Sequence, residues 1–131
     1  MNMKKYTIYD FENRTTRFMN PVTIFISQPF TGYEIDEVKD IRNRAKEKIK
    51  ERYRDGTYFH FIDNLDCYFC DDPLEGLSKA ILYLSVADAA YFVKLYDINT
   101  NKYRHMSRGC RIEYAICKEY NISTSEIHVE V

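Results

Sequence analysis

The sequence contains no tryptophan, and it has only four glycines, three prolines and three histidines among its 131 residues. So little glycine and proline excludes a collagen-like chain and a Gly/Pro-rich disordered one. His60, His105 and His128 are far from one another in sequence, and only Cys67 and Cys70 have the spacing of zinc ligands. Because no second pair follows, we predict no metal site and four reduced, buried, unreactive thiols.

The chain also lacks a charge excess and a long apolar run. Its formal net charge of −1 and its pI near 6.3 provide no long-range attraction to polymeric nucleic acid or to an anionic membrane. The longest apolar stretch, over 80–93, is interrupted by Ser85 and Asp88 and is too short to span a bilayer. The N-terminus has no apolar signal-peptide core, so we expect a cytoplasmic protein that contacts neither membrane nor polymeric nucleic acid.

What is present suits one globular domain. An apolar fraction of 45% and a charged fraction of 30% are ordinary for a folded chain of this length. Residues 1–20 are polar and mixed, and only Tyr6, Ile8 and Phe11 hint at a short strand. We therefore predict an N-terminal extension over 1–20 and a single domain over 21–131.

Strand and helix patterns alternate along this domain. An apolar, β-branched run predicts a strand at 22–26, and further strands are predicted at 58–65 and 89–93. Alternating apolar and polar residues predict a half-solvated strand near 127–131, while a polar loop is expected over 96–106. Helices are predicted over 34–53, 73–85 and 107–120, the last two capped by Asp72 and Ser107. This order implies a three-layer α/β domain of the Rossmann or flavodoxin type, with a mainly parallel sheet of four to five strands.

The first two helices have apolar residues at helical spacing, which predicts their buried faces. These residues are Ile35, Val38, Ile41, Ala45 and Ile49 in the first helix, and Leu74, Leu77, Ile81 and Leu84 in the second.

Ligands of open parallel sheets bind beyond the carboxyl ends of the strands. That rule selects residues 27–32, the segment after Val93, and residues 107–109. Gly32 and Gly109 would let the backbone approach a ligand, and a helix N-terminus behind Ser107 would favour an anion. Arg108 could hold a phosphate or could simply be a surface residue.

The hypothesis of a functional site rests on two acidic residues, and each of them could instead have a purely structural role. Glu113 falls among apolar residues of the third helix, so that it is either directed inward for a function or exposed like Glu119. Asp88 immediately precedes a predicted strand, where it could serve the site or could only cap the beginning of the strand.

Three segments resemble the nucleoside 2-deoxyribosyltransferase-like superfamily, and most closely a poorly characterised branch common in phage and prophage genomes. They are residues 24–30 (IFISQPF), 87–92 (ADAAYF) and 107–115 (SRGCRIEYA), and the resemblance extends over about 22–122. The last segment is the most specific, because Gly109 stands four residues before Glu113 and Ala115 stands two after it.

The resemblance implies that Glu113 attacks the anomeric carbon of a (deoxy)ribosyl group and that Asp88 contacts or protonates the leaving base. It implies no metal or organic cofactor, and the family's habit predicts a homo-oligomer. Ser107 stands where related nucleotide N-glycosidases place a serine against a 5′-phosphate. The predicted substrate-binding residues are Ser27, Gln28, Pro29, Phe30, Gly32, Ser107, Arg108 and Gly109.

The resulting hypothesis is an enzyme of N-glycosidic bonds acting on a nucleoside or nucleoside 5′-monophosphate, with hydrolysis slightly favoured over base exchange. It requires Glu113 and Asp88 to line one concavity. Phe25 stands where many family members have a tyrosine that orients the nucleophile, so Glu113 needs another orienting group. The alternatives are a protein that binds or sequesters a nucleotide without turnover, and an interaction domain with an incidental pocket.

Overall fold

The structure, a computed structural model, describes residues 21–53 and 56–131. The predicted N-terminal extension and its short strand lie outside these residues. The elements are β1 (Val22–Ser27), α1 (Ile35–Glu51), β2 (Phe59–Phe61), a 3₁₀ turn (Leu65–Cys67), α2 (Pro73–Leu84), β3 (Ala89–Asp97), β4 (Lys102–Tyr103), α3 (Arg108–Glu119) and β5 (Ser123–Glu130).

The strands form one mainly parallel sheet in the order β2-β1-β3-β5, with β4 antiparallel to the end of β3. β1, the strand predicted at 22–26, is an interior strand, and its residues 24–27 are all buried. A strand covered on both faces needs apolar residues at successive positions, which is the pattern of Ile24, Phe25 and Ile26. The predicted α/β class is confirmed.

The helices cover both faces of the sheet, giving three layers. Side chains alternate along a strand, so Ile24 and Ile26 pack toward α1, while Phe25 packs toward α2 and α3. α1 has 17 residues, and α2 and α3 have 12 each. In the described ranges no helix is long and apolar enough to cross a membrane.

The loop predicted over 96–106 is partly wrong, because β3 continues to Asp97 and pairs with β4. The carboxylate of Asp97 accepts hydrogen bonds from the backbone N–H groups of Asn99 at 2.9 Å and Thr100 at 3.3 Å. Asn101 adopts a φ of 59°, which asparagine tolerates better than most residues. These local bonds form a tight turn, which the pattern of apolar residues does not predict.

The predicted buried face of α2 is partly wrong, since Leu84 is buried as expected but the rest of the face differs. Gly76, Ala80 and Leu84 are buried, whereas the side chains of Leu74 and Ile81 are 71% and 43% exposed. A Cβ atom on Gly76 would lie only 2.3 Å from the carbonyl oxygen of Cys67, so α2 packs on the 3₁₀ turn through its smallest residues. The stripe of α1 is as predicted from Val38 to Ile49, but Ile35 in its first turn is exposed.

Candidate functional site

A cavity of about 650 Å³ lies at the carboxyl end of β1, between the first turns of α2 and α3. We call it the cleft. Its size is in the range typical of small-ligand sites. It is lined by Gln28, Phe30, Thr31, Cys67, Tyr68, Cys70, Asp72, Pro73, Leu74, Gly76, Leu77, Ser107, Arg108, Gly109, Cys110, Ile112 and Glu113.

Glu113 contributes a buried carboxylate to the cleft, and only 7% of the residue is exposed. The hydroxyl of Ser27, at the carboxyl end of β1, donates a hydrogen bond to its Oε1 atom at 2.5 Å. Burial raises the pKa of Glu113 to about 7, and the bond from Ser27 offsets part of that rise. Glu113 is therefore directed inward, and Ser27 is the orienting group that the sequence left unidentified.

The beginning of α3 forms a second wall. Ser107 caps the helix, since its Oγ atom accepts a hydrogen bond from the N–H group of Cys110 at 3.3 Å. The N–H groups of Arg108 and Gly109 belong to the first turn, where a helix offers no carbonyl acceptors. A Cβ atom on Gly109 would meet nothing within 4 Å, so the backbone is open to the cleft there.

An aromatic pair forms a third wall. The rings of Phe30 and Tyr68 stack with their centroids 4.5 Å apart and their planes inclined by 29°. Phe30 was predicted to bind the ligand, but Tyr68 was not. Tyr68 reaches the cleft because the 3₁₀ turn before it packs against Gly76, and a three-residue turn of this kind has no strong sequence signal.

Asp88 lies at the opposite edge of the sheet, which corrects the sequence prediction. Its backbone N–H donates to the carbonyl of Thr23 at 2.8 Å, and its Oδ2 atom accepts from the N–H of Thr23 at 2.7 Å. Ser27, the partner of Glu113, is four residues farther along β1, a distance of about 13 Å in a strand. Asp88 therefore ties together the beginnings of β1 and β3, and the expectation that it lines one concavity with Glu113 is wrong.

The other predicted binding residues divide into two groups. Gln28, Phe30, Ser107, Arg108 and Gly109 line the cleft, and Ser27 contacts it through Glu113. Pro29 and Gly32 are not among the lining residues. Gly32 has a φ of +88°, so its conformational freedom serves the turn that leads from β1 into α1 rather than approach to a ligand.

The four cysteines are free thiols, and all but the half-buried Cys70 are buried. Burial raises the pKa of Cys67 to about 12 and that of Cys117 to about 11, so both stay protonated and weakly nucleophilic at neutral pH. Within the described residues, no three His, Cys, Asp or Glu side chains are placed to hold a metal ion.

Beneath the cleft is a polar layer that the sequence analysis missed. Gln28 is 1% exposed and accepts a hydrogen bond from Arg42, which is itself 3% exposed. The burial of Arg42 could have been predicted from the sequence, because position 42 lies four residues after Val38 and three before Ala45, on the buried face of α1.

No protein-family model matches the chain, and comparisons with curated proteins and with solved structures find no significant match. The resemblance to the nucleoside 2-deoxyribosyltransferase-like superfamily therefore stays a prediction, as do the cytoplasmic location and the homo-oligomer that were expected from the sequence.

Proposed function

We propose that the cleft binds a nucleoside or a nucleoside 5′-monophosphate, and that Glu113 contacts the sugar. The observation that carries this proposal is the carboxylate of Glu113, buried, fixed by Ser27, and open to a cavity of about 650 Å³. A buried carboxylate with a raised pKa in a cleft is typical of a functional group rather than a structural one.

The other two walls suit the remaining parts of such a ligand. The stacked rings of Phe30 and Tyr68 provide an aromatic surface against which a base can pack. The first turn of α3 provides N–H groups and the positive end of the helix dipole, which attract a phosphate. A carboxylate that accepts from sugar hydroxyls would lie between these two walls.

The form of the enzyme hypothesis that required Asp88 beside Glu113 fails. Cleavage of the N-glycosidic bond by Glu113 without Asp88 is a second candidate, and the hydrogen bond from Ser27 to Glu113 favours it. The ionised carboxylate would form a C–O bond to the anomeric carbon while the C–N bond breaks and its electron pair leaves with the base. Water would then attack the same carbon and restore the carboxylate. We do not assign the acid role to Asp88, which is at the other edge of the sheet, so the departing base would take its proton from solvent. Because Asp88 does not line the cleft, we place binding before catalysis.

One experiment separates these functions. Nucleosides and their 5′-monophosphates are titrated into the protein by calorimetry, and the same samples are analysed for free base by chromatography. Glu113→Gln keeps the shape of the side chain and removes its charge, while Glu119→Gln changes an exposed residue of the same helix.

Saturable binding without free base supports a binding protein. Free base that disappears in Glu113→Gln, and persists in Glu119→Gln, supports the enzyme. If no member of the panel binds or reacts, the proposed function is wrong.

A further inference from the structure

A buried arginine lies directly behind the cleft. The guanidinium of Arg42 donates to the side-chain carbonyl of Gln28 at 3.2 Å and to the backbone carbonyl of Ile62 at 2.7 Å. It also donates to the side-chain carbonyl of Asn64, which is fully buried. These three bonds join the ends of β1 and β2 beneath the cavity.

The charge of this arginine has no ionic partner among residues 21–53 and 56–131, where every ion pair involves other side chains. Its acceptors are neutral: three carbonyl oxygens and the phenol of Tyr68. The carboxylate of Asp63 attracts the guanidinium, but Asp63 is exposed and forms no ion pair with it. Burial lowers the pKa of Arg42, yet a guanidinium stays charged at any physiological pH. Buried charges are normally paired, so a buried cation without a buried counter-charge favours an anion nearby.

The cleft is where that anion would lie. Gln28, which accepts a hydrogen bond from the guanidinium, lines the cavity, and so does Tyr68. Tyr68, which lines the cleft, interacts with both charges: after burial, the carboxylate of Glu113 raises its pKa and the guanidinium of Arg42 lowers it.

We infer that Arg42 gives the cleft a buried positive charge that selects anionic ligands, phosphate-bearing ones above all. The inference deepens the proposed function, because it rests on the cleft being the ligand site and names the charge of the ligand. At the low effective dielectric of a buried site, a cation several ångströms away still attracts an anion appreciably. The amide layer between them keeps Arg42 from direct contact with the ligand, so Arg42 sets the preference for charge without defining the shape of the ligand.

The test uses inorganic pyrophosphate as the probe and the full chain. Binding is measured by calorimetry and located from backbone NMR shifts of the glycines, since Gly76 and Gly109 line the cleft whereas Gly32 and Gly56 do not. The variants are Arg42→Gln, which removes the charge, Arg42→Lys, which keeps it, and Arg44→Gln, which removes an exposed charge from the same helix.

We expect saturable binding that shifts Gly76 and Gly109, a loss of affinity of about tenfold in Arg42→Gln, and near-normal affinity in Arg42→Lys and Arg44→Gln. Absence of saturable binding to the unmodified protein overturns the inference. So does equal affinity in Arg42→Gln, or a shift confined to Gly32 and Gly56. If Arg42→Gln does not fold, weak binding in the charge-retaining Arg42→Lys variant overturns it.

Nucleosides and nucleoside 5′-monophosphates serve as parallel probes. Binding of pyrophosphate without binding of either organic ligand keeps the role of Arg42 and rejects the proposed function.

Discussion

The hydroxyl of Ser27 and the carboxylate of Glu113 form a hydrogen bond of 2.5 Å although 86 positions separate them in the sequence. Ser27 ends the interior strand β1, and Glu113 lies in the second turn of α3. The bond therefore connects the sheet to the helix whose first turn forms one wall of the cleft. It fixes the position of the carboxylate relative to the N–H groups of that turn. Any ligand bound in the cleft would meet these groups in that fixed arrangement.

The burial of Glu113 should make the stability of the protein depend on pH. In the unfolded chain its pKa is near 4.5, and in the folded protein it is about 7. Folded protein keeps the proton that the unfolded chain releases, so this residue lowers stability progressively as pH rises from about 4.5 to about 7, and the loss is complete above that. The free energy of unfolding of Glu113→Gln, relative to that of the unmodified protein, should therefore increase by about 2–3 kcal/mol as the pH rises from 5 to 8.

Urea unfolding at several pH values measures this difference. Glu119→Gln, on the exposed side of the same helix, should show no such trend. A constant difference between Glu113→Gln and the unmodified protein across this range would mean that Glu113 is not buried in the folded state.

Removing the hydroxyl of Ser27 should change the charge state of Glu113. The bond from Ser27 stabilises the ionised form, so Ser27→Ala should raise the pKa of Glu113 further and weaken any activity that needs the carboxylate at neutral pH. The carboxyl resonance of Glu113 in a ¹³C-labelled sample reports the pKa directly. Ser78→Ala, an exposed serine of α2, is the control. An unchanged or lowered pKa in Ser27→Ala would contradict the geometry of this pair.

Asp88→Ala should destabilise the protein without affecting the cleft. It leaves the N–H of Thr23 without its side-chain acceptor, at a cost of about 1–3 kcal/mol. Asp88→Asn keeps an acceptor oxygen and should lose less. Thermal unfolding and ligand titration on the same samples separate the two effects. A loss of binding or turnover in Asp88→Asn, at unchanged stability, would restore Asp88 to the site.

Packing of α2 on the 3₁₀ turn makes Gly76 intolerant of a side chain. Gly76→Ala would bring a methyl group against the carbonyl of Cys67, a backbone atom that cannot rotate away. We expect a loss of about 1–3 kcal/mol and a displaced cleft wall at Tyr68. Gly109→Ala is the matched control, because its added carbon meets open space and alanine favours a helix. Equal stability of the two variants would show that α2 does not approach the turn this closely.

The features that were predicted correctly from the sequence depend on interactions between neighbouring residues. The run of apolar residues in β1, the caps at Asp72 and Ser107, and the end of α3, where Asn121 has a φ of 58°, each follow from a few neighbouring residues. The inward direction of Glu113 was one of two interpretations, and only the packing of α3 on the sheet decides between them.

The errors have two origins. In α2, Leu84 is buried as expected, but Leu74 is exposed and Gly76 is buried, because close approach to the Cys67 carbonyl outweighs apolar periodicity. Asp88 was assigned through a family resemblance, yet a residue directly before a parallel strand must lie at the amino edge of the sheet, opposite the carboxyl ends where ligands bind. That argument was already available from the sequence.

Phosphate recognition at the beginning of α3 can be tested by changing Ser107 alone. If the N–H groups of Arg108 and Gly109 hold a 5′-phosphate, a nucleoside monophosphate should bind about tenfold more tightly than its nucleoside, since a charged hydrogen bond contributes about 1.5–3 kcal/mol. Ser107→Asp keeps a good helix cap and so preserves the fold, but its carboxylate would repel the phosphate and compete for the same N–H groups. The preference for the monophosphate should shrink or reverse, while affinity for the nucleoside should change little.

Calorimetric titration of both ligands into both proteins gives the four affinities, and Ser107→Asn, a neutral cap, should retain most of the preference. Equal affinity of the unmodified protein for the two ligands would exclude a phosphate site at α3 and leave Glu113 as a contact for the sugar alone.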